Sequence, residues 1–239
     1  LFRHGDVKPE NILRFTDQAK LPIGNLKLAD FGITSRHEVR TDERDVPTGT
    51  RLGTLRYEGP EAEVTTQTNP RSRRYDVWSM GCVILEVVIW LFYGPDGLQT
   101  FDDGLEPQGG SFYVTKKKQD KSQEVSINPV VEDWMSYICQ GEPEAGEDTA
   151  LGDLIRFVRG EMLVPQLFSM PVSAPLNKDS IPPPSEVRAS SEKVVTVLEK
   201  LFMKSNSNSR YLIPELDPVH SHNRQLPTFA PSENATLGV

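Results

Sequence analysis

One stretch constrains this chain more than any other. Val77 to Tyr93 reads VWSMGCVILEVVIWLFY and is apolar on every face of a helix. Such a helix belongs either in the centre of a large core or in a bilayer. Its 17 residues reach only the lower limit for crossing hydrocarbon, roughly 17–25. Glu86 falls in its middle, and Arg73, Arg74 and Asp76 stand just before it. A carboxylate at the centre of a spanning helix is costly. The stretch is therefore expected to be the buried helix of a globular domain, with no membrane partner, and Gly94-Pro95 is expected to stop it.

A chain of 239 residues can build one sizeable core around that helix. Its 19 Pro and 17 Gly point to long loops. Acidic residues outnumber basic ones, 34 to 26, for a net charge of −8 without a basic stripe, which argues against nucleic acid as a partner. Two cysteines, Cys82 and Cys139, make neither a disulfide framework nor a zinc site. A reducing, intracellular setting, cytoplasmic or nuclear, is expected. No signal-peptide pattern follows Leu1, and the chain is expected to begin in mid-protein.

Short strands are expected at Ile12–Phe15 and Leu26–Ala29, joined by a turn at Leu21–Asn25. Residues 33–58 lack periodicity and read as a long functional loop. Residues 94–126 read as a polar insert loop whose Lys116-Lys117-Lys118 run is a solvated surface. Helical stripes follow at 127–140 and 151–162, then a Pro-rich connector, then a last helix from Ser191 to Lys204 with Val194, Val197, Leu198 and Leu201 on one face. Trp78, Trp90 and Trp134 are expected in the core. The main domain is expected over 1–204, with 205–239 a disordered tail.

The chemistry is densest at the start, in His4-Gly5-Asp6-Val7-Lys8-Pro9-Glu10-Asn11. An Asp, a Lys two residues on and an Asn three beyond that suit phosphoryl transfer. That reaction needs a carboxylate for the attacking hydroxyl, a cation near the phosphate and oxygen ligands for Mg²⁺. Asp30-Phe31-Gly32 follows a strand directly, and a carboxylate at a strand end suits a hard cation.

These residues resemble the catalytic loop and the D-F-G of eukaryotic protein kinases. Gly53-Thr54-Leu55-Arg56-Tyr57-Glu58-Gly59-Pro60-Glu61 is similar to that family's G-T-x-x-Y-x-A-P-E. Tyr75-Asp76-Val77-Trp78-Ser79-Met80-Gly81 is similar to its D-x-W-S-x-G, and Arg188-Ala189-Ser190-Ser191-Glu192 to the segment before its final helix. Five motifs stand in the family's order over residues 1–204. The resemblance implies a mainly α fold, the kinase-like large (C-terminal) lobe with a short β-hairpin, the N-terminal lobe missing. It also implies ATP and Mg²⁺, with a protein Ser/Thr hydroxyl as acceptor.

The roles it implies are specific. Asp6 takes the hydroxyl's proton, Lys8 neutralises phosphate charge and contacts the nucleotide, and Asn11 and Asp30 hold the metal. Thr54 shapes substrate docking, Asp76 holds the catalytic loop, and Glu61 pairs with Arg188, Arg210 being the alternative partner. His4 is structural. The Lys-Pro-Glu-Asn context resembles the Ser/Thr branch, and the His-Gly-Asp loop is similar to kinase-like proteins of filamentous fungi. Gly5 stands where the family has Arg, so a phosphate on the loop after D-F-G has no Arg here to grip. Gly59 stands where the family has Ala, a change expected to matter little.

Two other readings compete. Small-molecule kinases of the aminoglycoside or choline type share the His-Gly-Asp loop, but Lys8, Asp30-Phe31-Gly32 and the Gly53–Glu61 segment tell against them. A non-catalytic, truncated kinase-lobe interaction module is the other.

Overall fold

A computed structural model describes residues 2–16, 24–31, 35–36, 55–64, 74–118, 123–165, 188–212 and 224–228. Thr54, His37, His220, His222, the 166–187 connector and most of the expected 33–58 loop lie outside the described residues.

The chain opens with β1 (Phe2–Arg3), β2 (Ile12–Phe15), β3 (Asn25–Leu28) and β4 (Ser35–Arg36). β1 pairs antiparallel with β4, and β2 with β3 in the register Ile12↔Leu28 to Phe15↔Asn25. A 3₁₀ turn at Leu55–Tyr57 and the short α1 (Glu61–Val64) lead to α2 (Tyr75–Leu105). A second hairpin, β5 (Tyr113–Lys117) with β6 (Gln123–Ile127), precedes α3 (Pro129–Gly141). After it come α4 (Ala150–Phe157), which runs into a π-helical turn at Val158–Met162, then α5 (Ser191–Ser207) and α6 (Ser209–Leu212).

The apolar stretch is the core helix. Trp78, Cys82, Val83, Leu85 and Ile89 of α2 are buried against Trp134 and Ile138 of α3 and Val158 and Met162 of the π turn. α2 is long and apolar enough to cross a membrane, but most of that window is buried inside the protein. Its apolar surface is not buried all round. Val87 and, one turn on, Trp90 and Leu91 are about half exposed on the outward face, so Trp90 is not a core residue.

The Gly94-Pro95 stop is a kink rather than an end. Gly94 takes φ 63° and ψ −158°, which breaks the helix, and Pro95 opens the next helical segment. Residues 96–105 are therefore helix, not insert loop, and they bury Phe101 and Leu105. The remainder of the expected insert supplies the β5–β6 hairpin, so the described residues hold three two-stranded pairings rather than one hairpin.

The helix starts follow local chemistry. Asn128 Oδ1 accepts from Val130 N at 3.0 Å with Pro129 in the first turn, Thr149 Oγ1 accepts from Gly152 N at 3.1 Å, and Ser190 Oγ accepts from Lys193 N at 3.3 Å. The α5 stripe is only partly covered: Val194 is buried while Leu198 is 40% exposed. The segment expected as a tail is partly packed. α5 continues to Ser207, Tyr211 of α6 is buried, and residues 224–228 lie against α2 and α3.

Candidate active site

The loop from His4 to Asn11 is held from beneath by the first turn of α2. His4 N donates to Asp76 Oδ2 and Gly5 N to Asp76 Oδ1, both at 2.8 Å. Two backbone donors on one carboxylate fix the loop's height above the core helix. Gly5 turns there with φ 86°, a conformation that costs a side-chain-bearing residue and that Gly adopts freely.

Asp6 N donates to His4 Nδ1 at 3.3 Å, while His4 Nε2 lies 2.9 Å from the Ala29 carbonyl. A carbonyl only accepts, so Nε2 carries the proton and the neutral ring bridges the loop to the end of β3. His4 is buried, and its ring meets Phe31 edge-on at 4.9 Å. The ring braces the loop against the end of β3 and Phe31.

The polar side chains of the loop converge on Asp6. Lys8 Nζ sits 3.0 Å from Asp6 Oδ2. Asn11 Nδ2 donates to the Asp6 carbonyl at 2.8 Å and to Asp6 Oδ2 at 3.1 Å. Pro9 begins a 3₁₀ turn closed by Asn11 N donating to Lys8 O at 3.0 Å, which brings Asn11 back under Asp6. Ala29 N donates to Asn11 O at 2.8 Å, so the β2–β3 hairpin delivers Asp30 beside Asn11. Asp30 is exposed and has φ 60°, a left-handed conformation that Asp tolerates better than most residues.

Asn11 and Asp30 fit a magnesium ion. Asn11 uses its amide nitrogen on Asp6, which leaves Oδ1 as the atom for a cation, and Asp30 adds a carboxylate. Hard oxygens of this kind, with one or two carboxylates and the remaining positions filled by phosphate and water, suit Mg²⁺.

Glu61 is met by Arg188 in a fork. Arg188 Nη1 donates to Glu61 Oε1 at 2.6 Å and Nη2 to Glu61 Oε2 at 3.0 Å. Nη1 also reaches the Arg74 carbonyl at 2.9 Å, and Nη2 and Nε reach the Val164 carbonyl at 3.0 and 3.2 Å. The guanidinium lies 4.9 Å from the Trp78 ring. Arg210 belongs to α6, which packs with α4 and α5. Gly59 is not an indifferent position. A Cβ added there would stand 2.5 Å from Glu61 Oε2, and that carboxylate is clamped by the Arg188 fork.

Sequence reasoning missed a partly buried network. Arg56 Nε donates to Glu86 Oε1 at 2.7 Å, Tyr57 OH to Glu86 Oε2 at 2.9 Å, and Arg56 Nη2 to Asp102. Arg56 lies against both the Phe101 and Phe112 rings, 5.6 and 5.7 Å from their centres. Burial raises the Glu86 carboxyl above its ordinary value, and Arg56 and Tyr57 offset that only in part. Burial and the Glu86 charge beside it push the Tyr57 phenol up. Burial works against charge on Arg56, but Glu86 and Asp102 more than offset it and raise its pKa. The only signal in the sequence was Glu86 itself, a charge in an apolar run that demands a partner.

A family model for the protein kinase domain matches residues 1–216. The chain is 36% identical over 86 residues to the dual specificity protein kinase Ttk of Danio rerio, covering 34% of this chain and 8% of that protein. It is 36% identical over 85 residues to the serine/threonine-protein kinase MPS1 of Encephalitozoon cuniculi, covering 36% of this chain and 13% of that protein. Over 93 residues it is 36% identical to the serine/threonine-protein kinase mph1 of Schizosaccharomyces pombe, covering 36% of this chain and 12% of that protein. The chain thus spans 8% to 13% of the length of these curated relatives.

Proposed function

Because this chain belongs to the protein kinase family, we propose that it forms the large lobe of a serine/threonine protein kinase and carries the residues that move the γ-phosphoryl of ATP to a protein hydroxyl. The carrying observation is the Asp6 cluster: a carboxylate 3.0 Å from Lys8 and 3.1 Å from Asn11, on a loop that Asp76 holds by two backbone hydrogen bonds. Asp6 orients the acceptor hydroxyl and takes its proton as the hydroxyl oxygen bonds to phosphorus. The bond from phosphorus to the bridging oxygen breaks, and ADP leaves with the electron pair. Lys8 stands beside Asp6 to meet the charge on the moving phosphoryl group. Asn11 and Asp30 would hold Mg²⁺, which when bound neutralises phosphate charge. Thr54 takes the docking role that its motif implies.

The cover on the nucleotide and the Lys that orients its phosphates have no counterpart in this sequence. Phosphoryl transfer is mostly positioning, so the reading assigns this chain the acceptor side of the site and expects residues 1–239 alone to turn over poorly. Cys82 is buried and Cys139 half-buried, neither in a disulfide, which suits the cytoplasm or nucleus. The test is Asp6→Asn in a polypeptide that joins this chain to a kinase small lobe. General-base loss costs roughly 10²- to 10⁴-fold in rate, with circular dichroism unchanged. Retention of a tenth of the rate would refute the role.

A further inference from the structure

Sixteen residues along α2 from Asp76, about 24 Å at roughly 1.5 Å per residue, the helix surface receives a short extended segment of the chain's own C-terminal region. Arg224 is its anchor. Arg224 Nε lies 3.0 Å from Glu142 Oε2, its Nη2 pairs with Glu144, and its Nη1 donates to the Phe92 carbonyl at 3.3 Å. The guanidinium sits 4.7 Å over the Phe92 ring. Tyr93 OH donates to Glu142 Oε1 at 2.7 Å, fixing that carboxylate from the other side. Tyr137 OH donates to the Gln225 carbonyl at 2.9 Å, and Pro227 is buried.

The receiving surface is built by α2, α3 and the turn that follows α3. Phe92 and Tyr93 end the first segment of α2 just before the Gly94 kink, Tyr137 is on α3, Glu142 caps α3, and Glu144 lies in the 3₁₀ turn that follows. The Glu142 and Glu144 side chains are only 10% and 12% exposed. Two carboxylates that close and that dry are costly without a cation between them. Even with Arg224 seated, the pair keeps a net negative charge. A planar fork over an aromatic ring selects Arg over Lys.

The occupant contributes one guanidinium, one main-chain carbonyl and one proline from a segment with no helix or strand. None of these contacts depends on the segment belonging to this chain. We propose that the Phe92–Tyr93–Tyr137–Glu142–Glu144 surface is a docking site for an extended Arg-x-x-Pro segment of a partner protein. Residues 224–228 occupy it in cis and compete with that partner. Eleven residues separate Leu212 from Arg224. A short tether of this kind gives an effective concentration of roughly a millimolar. A partner peptide with an intrinsic Kd of about 0.1 mM is then weakened about tenfold by the resident segment.

The experiment uses the full chain and a labelled peptide of residues 223–229, Asn-Arg-Gln-Leu-Pro-Thr-Phe, beside the same peptide with Arg replaced by Ala. Binding is read by fluorescence anisotropy. Arg224→Ala should bind the Arg peptide about tenfold tighter than the wild type does. It should not bind the Ala peptide measurably, and Glu142→Gln with Glu144→Gln in the same background should abolish binding. A folded Arg224→Ala protein that ignores the Arg peptide, binds both peptides equally, or keeps its affinity without the two carboxylates overturns the proposal. If Arg224→Ala fails to fold, both peptides are titrated to millimolar on the wild type. A clear preference for the Arg peptide there supports the site, and equal or no binding refutes it.

Discussion

Glu61→Ala should cost far more than its partly exposed position suggests, because of what it does to Arg188. Arg188 is 1% exposed, and its contacts to Glu61, Val164 and Arg74 engage all five of its N–H donors. Removing Glu61 leaves two of those donors unmet and a buried cation without its counter-charge, a loss of about 3–5 kcal/mol. The three carbonyl contacts and the Trp78 face persist, the latter worth about 0.5–2 kcal/mol, which places the expected loss near the lower end, about 3 kcal/mol. Arg188→Ala leaves Glu61 17% exposed and able to draw in water. It also opens a void on Trp78 and abandons the Val164 and Arg74 carbonyls, for a loss of about 4 kcal/mol. The two changes share one interaction, so the double variant should lose about 5 kcal/mol rather than the sum of the singles. Arg188→Lys should resemble Arg188→Ala, because an ammonium cannot make the fork. Urea unfolding followed by circular dichroism measures all four proteins. Losses that add to within about 0.5 kcal/mol would show that Glu61 and Arg188 do not stabilise one another.

Gly59→Ala should cost about 1 kcal/mol through the Glu61 carboxylate and should cost almost nothing in an Arg188→Ala background; equal costs in both would sever the link. Glu86→Ala should destabilise by about 2 kcal/mol because it leaves the Tyr57 hydroxyl without its acceptor and Arg56 with Asp102 alone, whereas Arg56→Met with Glu86→Leu should recover part of that, as read by thermal unfolding. Burial pushes the Asp153 carboxyl up, but hydrogen bonds from Arg156 and Tyr211 and the charge of Lys204 outweigh it and hold the group below 3.8. Its contribution to stability is therefore present above that value and is lost as pH falls through the lower folded value. Asp153→Asn should be less stable than the wild type near neutral pH, and the gap should close on acidification; a gap that does not change with pH would contradict the assignment.

Much of the candidate site could be read from the sequence because its parts are local. His4 to Asn11 fit in eight residues, and Asp30 follows a strand whose alternation is visible in Leu26-Lys27-Leu28. The spacing of such residues is set by the backbone, so the order of types already carries the geometry. What escaped depends on distance along the chain. Glu86 finds Arg56 thirty residues upstream, and Arg56 in turn reaches Asp102 forty-six residues further along the chain, and no local pattern distinguishes those partners from other charges. Gly94-Pro95 escaped for another reason: the pair that ends one helix is also suited to begin the next, with Pro in the first turn. Leu98, Phe101 and Leu105 then supply an apolar face at helical spacing that a polar, Gly-containing composition hid.

The helix that first constrained the fold also explains why the remote parts belong together. Asp76 in its first turn carries the His4–Asn11 loop. Ser79 Oγ donates to the Tyr57 carbonyl at 2.8 Å one turn later, and Glu86 gathers Tyr57 and Arg56 two turns beyond that. Phe92 and Tyr93 then face Arg224 and its carboxylates. Asp76 is thus met by one segment, Ser79 and Glu86 by a second and Tyr93 by a third, while Val77, Trp78, Cys82, Val83, Leu85 and Ile89 between them are buried in the shared core. Asp76, Ser79, Glu86 and Tyr93 recur at intervals of three, seven and seven residues, so they line one stripe of the helix and their partner segments are stacked along it. The near-total apolarity of Val77–Tyr93 is what allows neighbours on several sides, and its few polar positions fix which segment each neighbour must be. A change at one such position should therefore be felt first by its own segment and reach the others only through the packing of the helix.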